Sequence, residues 1–257
     1  MAKKPLILIT NDDGITAKGI RALINVMRTI GDIIVVAPDK PQSAMGHAIT
    51  INDTLYCDPF VYDPEATHEE YSCSGTPADC VKLANQQILD RTPDICVSGI
   101  NHGSNSSINV IYSGTMSAAV EAGVEGIPAI GFSLMDYSAD ANFDACVPFV
   151  KAITEKVLES GLPKGVVLNV NIPKLPLEEI KGTKVCRQAK AMWVEDFDKR
   201  TNPYGRDYYW LTGEFINQDK GEDTDEWALA QGYVSIVPTQ FDLTAHHAIQ
   251  ELNTWDL

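Results

Sequence analysis

The chain has 257 residues, 44% of them hydrophobic, and 35 acidic residues against 20 basic ones give a formal net charge of −15. This length and composition, without any tract of biased composition, exclude a largely disordered chain and allow a sizeable core. The acidic excess argues against DNA or RNA as a partner, because affinity for nucleic acid comes mainly from lysine and arginine, and a small anionic substrate would need a cation or backbone N–H groups to balance its charge.

The first predicted element is a short buried strand rather than a targeting segment. The apolar run PLILIT ends at Asn11, Asp12 and Asp13, well short of a signal peptide or a membrane span. Six cysteines are scattered without a CxxC pair or a Cys/His cluster, which favours small buried hydrophobic residues over a metal site or disulfides. We therefore expect a cytoplasmic protein that does not contact a membrane.

Apolar strands then alternate with helical patterns through most of the chain. PLILITN and DIIVVAP read as strands, and the residues from about Thr16 to Ile30 between them have helical spacing, which makes a βαβ unit. Further helices are predicted at about 77–89, 115–124 and 143–159, and further strands at DICVSGI, PAIGFSL and VVLNVNI. The alternation predicts an α/β fold with a doubly wound, mainly parallel, Rossmann-like sheet.

Two stretches interrupt this alternation. Residues 47–73 predict short strands in an antiparallel excursion beside the main sheet. After IPKLP the pattern changes to the strands TKVCRQ, DYYWLTGEFI and YVSIVPTQ, with a short helix near 224–230. We therefore predict an α/β catalytic core over 1–180 and a β-rich C-terminal appendage over 181–257. The aromatic residues of the appendage form either its own core or a subunit interface, and the interface is slightly favoured.

The loop after the first strand places Asp12 and Asp13 side by side. Ligands of doubly wound sheets bind at the carboxyl ends of the strands, so this loop is a candidate site. Adjacent carboxylates repel each other unless a cation lies between them or one is protonated, and a hard divalent ion suits them. The alternative, equally open on this loop alone, is that Asp13 caps the next helix while Asp12 faces solvent.

Three later loops offer neutral oxygen ligands and N–H groups. Ser43 lies in the loop after DIIVVAP, and Asn101 follows DICVSGI, where it would emerge at the same edge as Asp12. Residues 113–115 precede a predicted helix, where unpaired N–H groups and the helix dipole can hold a phosphate. Ordinary N-capping explains the same residues equally well.

Several catalytic signatures are missing from the sequence. It contains no GxxxxGK[ST], GxGxxG, GxSxG or HExxH motif, which argues against kinases, dinucleotide enzymes and serine hydrolases. The adjacent aspartates also differ from the Asp-x-Asp arrangement of phosphatases that form an aspartyl phosphate. This difference favours direct attack by a water that a metal activates.

Taken together, six segments resemble the family of the stationary-phase survival protein SurE, whose members are metal-dependent nucleotidases. The segments are TNDDG (10–14), VVAPDKPQSAMGHAIT (35–50), SGTPADCV (74–81), VSGINHGSN (97–105), YSGTMSAAVEA (112–122) and GYVSIVPTQFDLT (232–244). They run in family order over most of the chain, and the linked set is far more specific than any one segment.

The resemblance implies a site with one divalent ion per subunit, Mg²⁺ or Mn²⁺. The implied metal ligands are Asp12, Asp13, Ser43 and Asn101. The phosphate side of the pocket is implied to be lined by Asn11, Asn105, Ser113, Gly114 and Thr115, with Asn11 grouped with the two aspartates as catalytic. The resemblance further implies hydrolysis of nucleoside 5′- or 3′-monophosphates, sometimes also of polyphosphate, by homodimers or homotetramers that exchange C-terminal segments.

These implications define a mechanism and two rivals. In the mechanism, a metal-activated water attacks the phosphorus while N–H groups of residues 114 and 115 hold the phosphate oxygens. Either aspartate can act as the general base, and His102 is a candidate acid, although a lone loop histidine is more often solvated. The rivals are a non-hydrolytic nucleotide and metal sensor, and a sugar-nucleotide transferase that uses paired aspartates.

Overall fold

The computed structural model describes residues 4–256, in which helices flank a nine-stranded sheet. The strands are β1 Leu6–Thr10, β2 Asp32–Pro38, β3 Cys57–Pro59, β4 Glu69–Cys73, β5 Ile95–His102, β6 Ala129–Leu134, β7 Val166–Ile172, β8 Thr183–Val185, β9 Ala191–Thr201, β10 Asp207–Asn217 and β11 Val234–Gln240. The helices are α1 Lys18–Met27, α2 Pro77–Leu83, α3 Gly114–Val124, α4 Val147–Ser160, α5 Asp225–Ala230 and α6 His246–Leu252. Residues 1–3 and 257, which the predicted segments 1–180 and 181–257 include, lie outside the described residues.

The main sheet is doubly wound, as the alternation of elements predicts. Its strand order is β3-β4-β2-β1-β5-β6-β7-β11-β8, and the pairs from β4 through β7 are all parallel. The chain begins in the middle at β1, builds outward through β2 and β4, and then returns to the other side of β1 with β5. The order therefore reverses between β1 and β5, and in such sheets the ligand crevice lies at the carboxyl ends of the strands where the order reverses.

The sheet is buried on both faces, which is why its central strands are continuous apolar runs. Along β1, Ile7 and Ile9 enter the core beneath α1 and α4, whereas Leu8 enters the core beneath α2 and α3. Helix α1 lies so close to β5 that a Cβ on Gly19 would overlap the carbonyl of Ile100. This close contact fixes α1, and the loop before it, against the edge where the crevice lies.

The helices differ from their predicted extents mainly at the ends. Helix α1 begins at Lys18 rather than near Thr16, since its N-cap residue Ala17 has an extended backbone with ψ of 145°. The helix predicted at 77–89 is α2 followed by a π-helical turn at Ala84–Ile88, and Thr76 opens it with a capping box. The helix predicted at 143–159 begins with a short 3-10 turn before α4.

The prediction of an antiparallel excursion at 47–73 is only partly right. Strand β3 does pair antiparallel with β4 at the edge of the sheet. Strand β4, however, pairs parallel with β2 and belongs to the main sheet. The connection from β2 to β4 is long enough for a crossover, and the burial of Glu70 and Cys73 on β4 favours a place in the sheet over an exposed hairpin.

The sheet also continues across the predicted boundary at 180/181. Strand β11 pairs antiparallel with β7, and β8 pairs parallel with β11. What stands apart from the main sheet is the ribbon of β9 and β10, eleven antiparallel residue pairs from Ala191↔Asn217 to Thr201↔Asp207. The division into 1–180 and 181–257 stays a prediction, but it does not coincide with an edge of the sheet. None of the helices within 4–256 is long and apolar enough to cross a membrane.

Candidate active site

A cavity of about 250 Å³ lies at the carboxyl ends of β1 and β5, where the strand order reverses. The side chains that line it are Asp12, Asp13, Ser43, Ala44, Asn101, His102, Ser104, Asn105, Asn109, Tyr112, Ser113, Tyr137 and Trp193, together with Gly103. A larger cavity of about 500 Å³ beside β6 contains Asp136, but Lys174 already neutralises that carboxylate at 2.8 Å. The chemistry of the lining, rather than size, therefore identifies the smaller cavity as the candidate site.

Asp12 is held in place by two other parts of the chain, the start of α3 and the loop after β2. Its side chain is buried, and its Oδ1 accepts a hydrogen bond from the hydroxyl of Thr115 on α3. Its backbone carbonyl accepts from the N–H of Gln42, which ties it to the loop after β2 at 2.7 Å. Gly114 leaves the space that Asp12 fills, because a Cβ at Gly114 would lie 2.6 Å from the Cβ of Asp12. The carboxylate therefore has a fixed position between β1 and the N-terminus of α3.

The adjacent carboxylates repel each other in a poorly solvated place. Burial, and then the charge of Asp13, raise the pKa of Asp12 to about 6, and hydrogen bonds from Thr115 oppose this rise. Burial also raises the pKa of Asp13, opposed by the backbone N–H of His102, which donates to Asp13 Oδ2 at 3.2 Å. No lysine or arginine occurs among the described residues that line the cavity. A bound divalent cation would supply the missing positive charge, so the acid pair fits a hard metal ion.

The other two predicted metal ligands line the same cavity. Ser43 is exposed in the loop after β2, beside Ala44, whose φ of 58° places it in the left-handed region. The side-chain nitrogen of Asn101 donates to the Gly103 carbonyl at 2.9 Å, which leaves the side-chain oxygen as the possible ligand. Across residues 4–256 no cluster of three or more His, Cys, Asp or Glu side chains is arranged to hold a metal. Of the four predicted metal ligands, Asp12 and Asp13 are of these residue types, and Ser43 and Asn101 would add a hydroxyl and an amide oxygen.

Asn11, predicted to be catalytic, lies behind the cavity rather than on its wall. Its Nδ2 donates to the carbonyl of Gly14 at 3.0 Å and so closes the turn that presents the two aspartates. Its Oδ1 is buried and has no hydrogen-bond partner among the described residues. A buried, unpaired amide oxygen is costly for folding. The catalytic role of Asn11 stays a prediction.

The predicted phosphate-binding residues divide into two groups. Ser113 and Asn105 line the cavity, whereas Gly114 and Thr115 lie behind Asp12. Ser113 also caps α3, since its Oγ accepts from the N–H of Met116 at 3.0 Å. The capping interpretation therefore holds for Ser113 alongside any contact with a ligand. In the structure both Gly114 and Thr115 position Asp12. Phosphate binding by these two residues stays a prediction.

Asn105 is fixed by a network of buried polar groups on β6 and β7. Its Nδ2 donates to Ser133 Oγ and its N–H donates to Asn171 Oδ1, each at 2.8 Å. Its carbonyl accepts from Asn169 Nδ2, also at 2.8 Å. The asparagines that interrupt the apolar strand VVLNVNI were the sequence signal for this network, and sequence reasoning passed over them. Because Asn105 is rigidly held, its side-chain oxygen is available to a ligand without reorganisation.

His102 is not the free, solvated histidine that a loop position suggests. Its ring packs edge-on against Phe143, with ring centroids 5.0 Å apart, and the residue lines the cavity. The packing fixes the imidazole at the cavity wall, and a role for His102 as an acid stays a prediction.

Seven further residues that line the cavity are not among the site residues predicted from the sequence. They are Ala44, Gly103, Ser104, Asn109, Tyr112, Tyr137 and Trp193. Trp193 comes from the β9–β10 ribbon, whose aromatic residues were expected to form a core or an interface. No local signal could have placed it here, because its position depends on how the ribbon leaves the sheet.

The chain is similar to known proteins over nearly its whole length. A family model described as Survival protein SurE matches residues 7–195. A protein named 5′-nucleotidase SurE from Christiangramia forsetii is 71% identical over 255 residues, 99% of this chain and 98% of that protein. A protein of the same name from Bacteroides fragilis is 50% identical over 256 residues, 99% of each. The crystal structure of the SurE protein from Aquifex aeolicus matches with a TM-score of 0.83 and 39% identity, over 97% of this chain and 98% of that one.

Proposed function

This chain belongs to the survival protein SurE family, and from that premise we propose that it is a 5′-nucleotidase, which hydrolyses nucleoside 5′-monophosphates to nucleoside and phosphate. The observation that carries the proposal is the acid pair Asp12 and Asp13, placed in a cavity at the point where the strand order of the sheet reverses. The relatives named 5′-nucleotidase align along nearly their whole length, so the comparison extends to the full chain.

We further propose that activity depends on one divalent ion, Mg²⁺ or Mn²⁺, in each subunit. The residues that would hold it are Asp12, Asp13, Ser43 and Asn101, all of which line the cavity. Oxygen ligands of this kind suit hard divalent cations, and the pKa of Asp12 is raised first by burial and then by the charge of Asp13. When bound, such an ion supplies charge neutralisation for the phosphate and makes water more acidic.

The side chains of the chain itself orient the substrate. Ser113 can donate its hydroxyl hydrogen, and Asn105 the second N–H of its side-chain amide, to the phosphate oxygens, and the N-terminus of α3 adds a partial positive charge. Thr115 keeps Asp12 in one rotamer by its hydroxyl hydrogen bond. His102 also lines the cavity, and we propose it as the acid that protonates the departing nucleoside oxygen.

The test is phosphate release by the purified protein. Nucleoside 5′- and 3′-monophosphates and polyphosphate are incubated with Mg²⁺, with Mn²⁺ or with EDTA, and inorganic phosphate is measured. We expect release from the 5′-monophosphates with either metal, none with EDTA, and loss of activity in Asp12→Asn. Near-normal metal-dependent release by Asp12→Asn would contradict the proposed site.

The same assay separates the alternative functions. Saturable nucleotide binding without phosphate release would favour a sensor, and transfer that requires an acceptor would favour a sugar-nucleotide transferase. Release from 3′-monophosphates or polyphosphate would extend the substrate range without changing the site. Cytoplasmic location stays a prediction from the sequence.

We also propose that the active form is a homodimer or homotetramer. The β9–β10 ribbon supports this proposal, because apolar side chains are exposed on both of its strands and an isolated two-stranded ribbon is at best marginally stable. Phe197 and Leu211 face each other across the ribbon and are both more than half exposed. Replacing both by threonine, which keeps β propensity, should shift sedimentation toward smaller species. Val185→Thr, an exposed change on β8, is the matched control and should leave the sedimentation coefficient unchanged.

A further inference from the structure

The loop between β2 and β3 carries Ser43, the most exposed of the four proposed metal ligands. Among residues 39–49 of this loop, all of which the structure describes, only the side chain of His47 forms a hydrogen bond. A ligand on a loose loop binds a metal weakly, because the loop loses conformational entropy when the metal orders it. The contacts that hold Ser43 beside Asp12 and Asp13 therefore bear directly on the affinity of the site.

Backbone hydrogen bonds hold the segment around Ser43 at both of its ends. The N–H of Gln42 donates to the carbonyl of Asp12 at 2.7 Å, and the N–H of Gly46 donates to the carbonyl of Tyr112 at 3.0 Å. The first end is thus tied to the acid pair itself, and the second end is tied to the residue that precedes the N-cap of α3. Ser43 lies between the two ends, so its position depends on how firmly the second end is held.

His47, which directly follows Gly46, fixes that second end through its side chain. Its Nε2 lies 2.7 Å from Oε2 of Glu121 on α3. The hydrogen bond with His47, and then the one with Lys82, lower the pKa of Glu121 against the effect of burial. The carboxylate is therefore ionised and can only accept, so the imidazole nitrogen donates. The side chain of Glu121 is only 5% exposed, so the loop is attached to a buried group.

Glu121 is itself held rigidly on the helix that also positions Asp12. Its Oε1 accepts a hydrogen bond from Lys82 Nζ on α2 at 2.6 Å. On α3 it lies two turns beyond Thr115, whose hydroxyl donates to Asp12. At about 1.5 Å per residue, these two points of attachment are about 9 Å apart along one helix. Helix α3 is thus a common support for Asp12 and for the loop that carries Ser43.

We propose that His47 and Glu121 are positioning residues of the metal site, which hold Ser43 in place for a divalent ion bound at Asp12 and Asp13. This inference rests on the proposed function and its metal site, and it adds two residues that are not among the described residues lining the cavity. Both therefore act through Ser43 rather than by contact with the ion. Removing a group that orients a metal ligand typically lowers the metal affinity by about 10- to 100-fold.

The test measures Mn²⁺ binding directly, through the electron paramagnetic resonance signal of the free ion. His47→Ala should raise the Kd for Mn²⁺ about tenfold, the lower end of that range, because His47 does not contact the ligand itself. His47→Gln should keep most of the affinity, because the glutamine side chain also ends in an N–H donor. His246→Ala is the matched control, since it removes an exposed histidine that pairs with Asp242 at 2.9 Å outside the cavity, and it should leave the Kd unchanged.

A double substitution separates a role through Ser43 from a general effect on the fold. Ser43→Ala alone should weaken Mn²⁺ binding at least as much as His47→Ala does. In the Ser43→Ala background, adding His47→Ala should change the Kd by less than about twofold, because the hydroxyl that His47 positions is already absent. A purely structural role would weaken binding by the same factor in both backgrounds, and that result would overturn the inference. An unchanged Kd in His47→Ala would also overturn it.

The same titrations keep this inference distinct from the proposed nucleotidase function. If the wild type bound Mn²⁺ but released no phosphate from any substrate, the nucleotidase function would fail, and the Kd values would still decide for or against His47. If the wild type bound no Mn²⁺, the metal site and this inference would both be wrong.

Discussion

Replacing Gly114 with alanine should displace Asp12 and so lower the activity much more than it lowers the stability of the fold. The new Cβ would lie 2.6 Å from the Cβ of Asp12 and 2.9 Å from its Oδ2. Carbon atoms in contact are about 3.5–4.0 Å apart, so the aspartate must move by roughly 1 Å. Because a displacement of about 1 Å in a catalytic site can lower the rate by about 100-fold, we expect kcat/KM for AMP to fall by about two orders of magnitude.

The expected loss of stability is much smaller than the loss of activity. Overpacking of this kind destabilises by about 1–3 kcal/mol, and alanine in a helix is more favourable than glycine by up to about 1 kcal/mol. The net loss of about 0–2 kcal/mol lowers the Tm of a chain of this size by less than about 8 °C. The variant should therefore be folded at 25 °C, which circular dichroism and a thermal melt will check.

Gly205→Ala is the control that loses stability without touching the site. Gly205 lies in the turn of the β9–β10 ribbon with φ of 77°, and an alanine there has open space but an unfavourable backbone conformation. That conformation costs about 1–2 kcal/mol, so the Tm should fall by about as much as in Gly114→Ala, while kcat/KM remains close to the wild-type value. Wild-type activity in Gly114→Ala, or equal losses of activity in both variants, would refute the reasoning about Asp12.

Three other predictions test different parts of the structure. Glu121 is buried, and its hydrogen bonds, first with His47 at 2.7 Å and then with Lys82 at 2.6 Å, hold its pKa below the usual value. The resulting stability is present above the unfolded pKa and is lost as pH falls through the folded pKa. Glu121→Gln should therefore lower Tm at pH 7 by more than it does at pH 4. An equal loss at both values would contradict this assignment. Cys57 and Cys73 face each other at a non-hydrogen-bonded position of β3 and β4, where the Cβ atoms are close enough for a disulfide, so diamide should link them in peptide maps and Cys57→Ser should abolish the link. Asn171→Ala should free the loop around the site and lower kcat/KM by about tenfold, the equivalent of one lost buried hydrogen bond, while Asn25→Ala on the surface of α1 should not.

Most of the fold follows from local patterns, and the parts that do not are set by distant contacts. The helical spacing of α1 and the unbroken apolar runs of β1 and β2 lie within about 30 residues, so the sequence alone predicts their βαβ unit. The place of β4 beside β2, and of β8 beside β11, depends on which edge of the sheet is uncovered after the rest has formed. Strands of only three to five residues have too few side chains for their pattern to predict which strand they pair with.

The same division holds for the site. The carboxyl ends of parallel strands meet at one edge of the sheet, and this rule alone predicts that Asp12, Asp13 and Asn101 lie together. Asp12 and Asp13 follow β1, and Asn101 is near the end of β5. The part that Thr115 plays depends on the rotation of α3 about its axis, which turns the hydroxyl toward Asp12 rather than toward the cavity. Trp193 depends on the direction in which a ribbon leaves the sheet. Neither angle is encoded in a motif, so neither role could be predicted.

The β9–β10 ribbon is an insertion between two strands that are neighbours in the sheet, β8 and β11. Its length can therefore change during evolution by whole residue pairs, one residue on each strand, without moving any strand of the main sheet. Each pair shifts the tip by about 3.4 Å. Trp193, in the third pair from the base, marks where this freedom begins, because it lines the cavity and the ribbon residues beyond it do not. Descendants of such a protein can thus alter how far the ribbon reaches while the chemistry at its base stays the same.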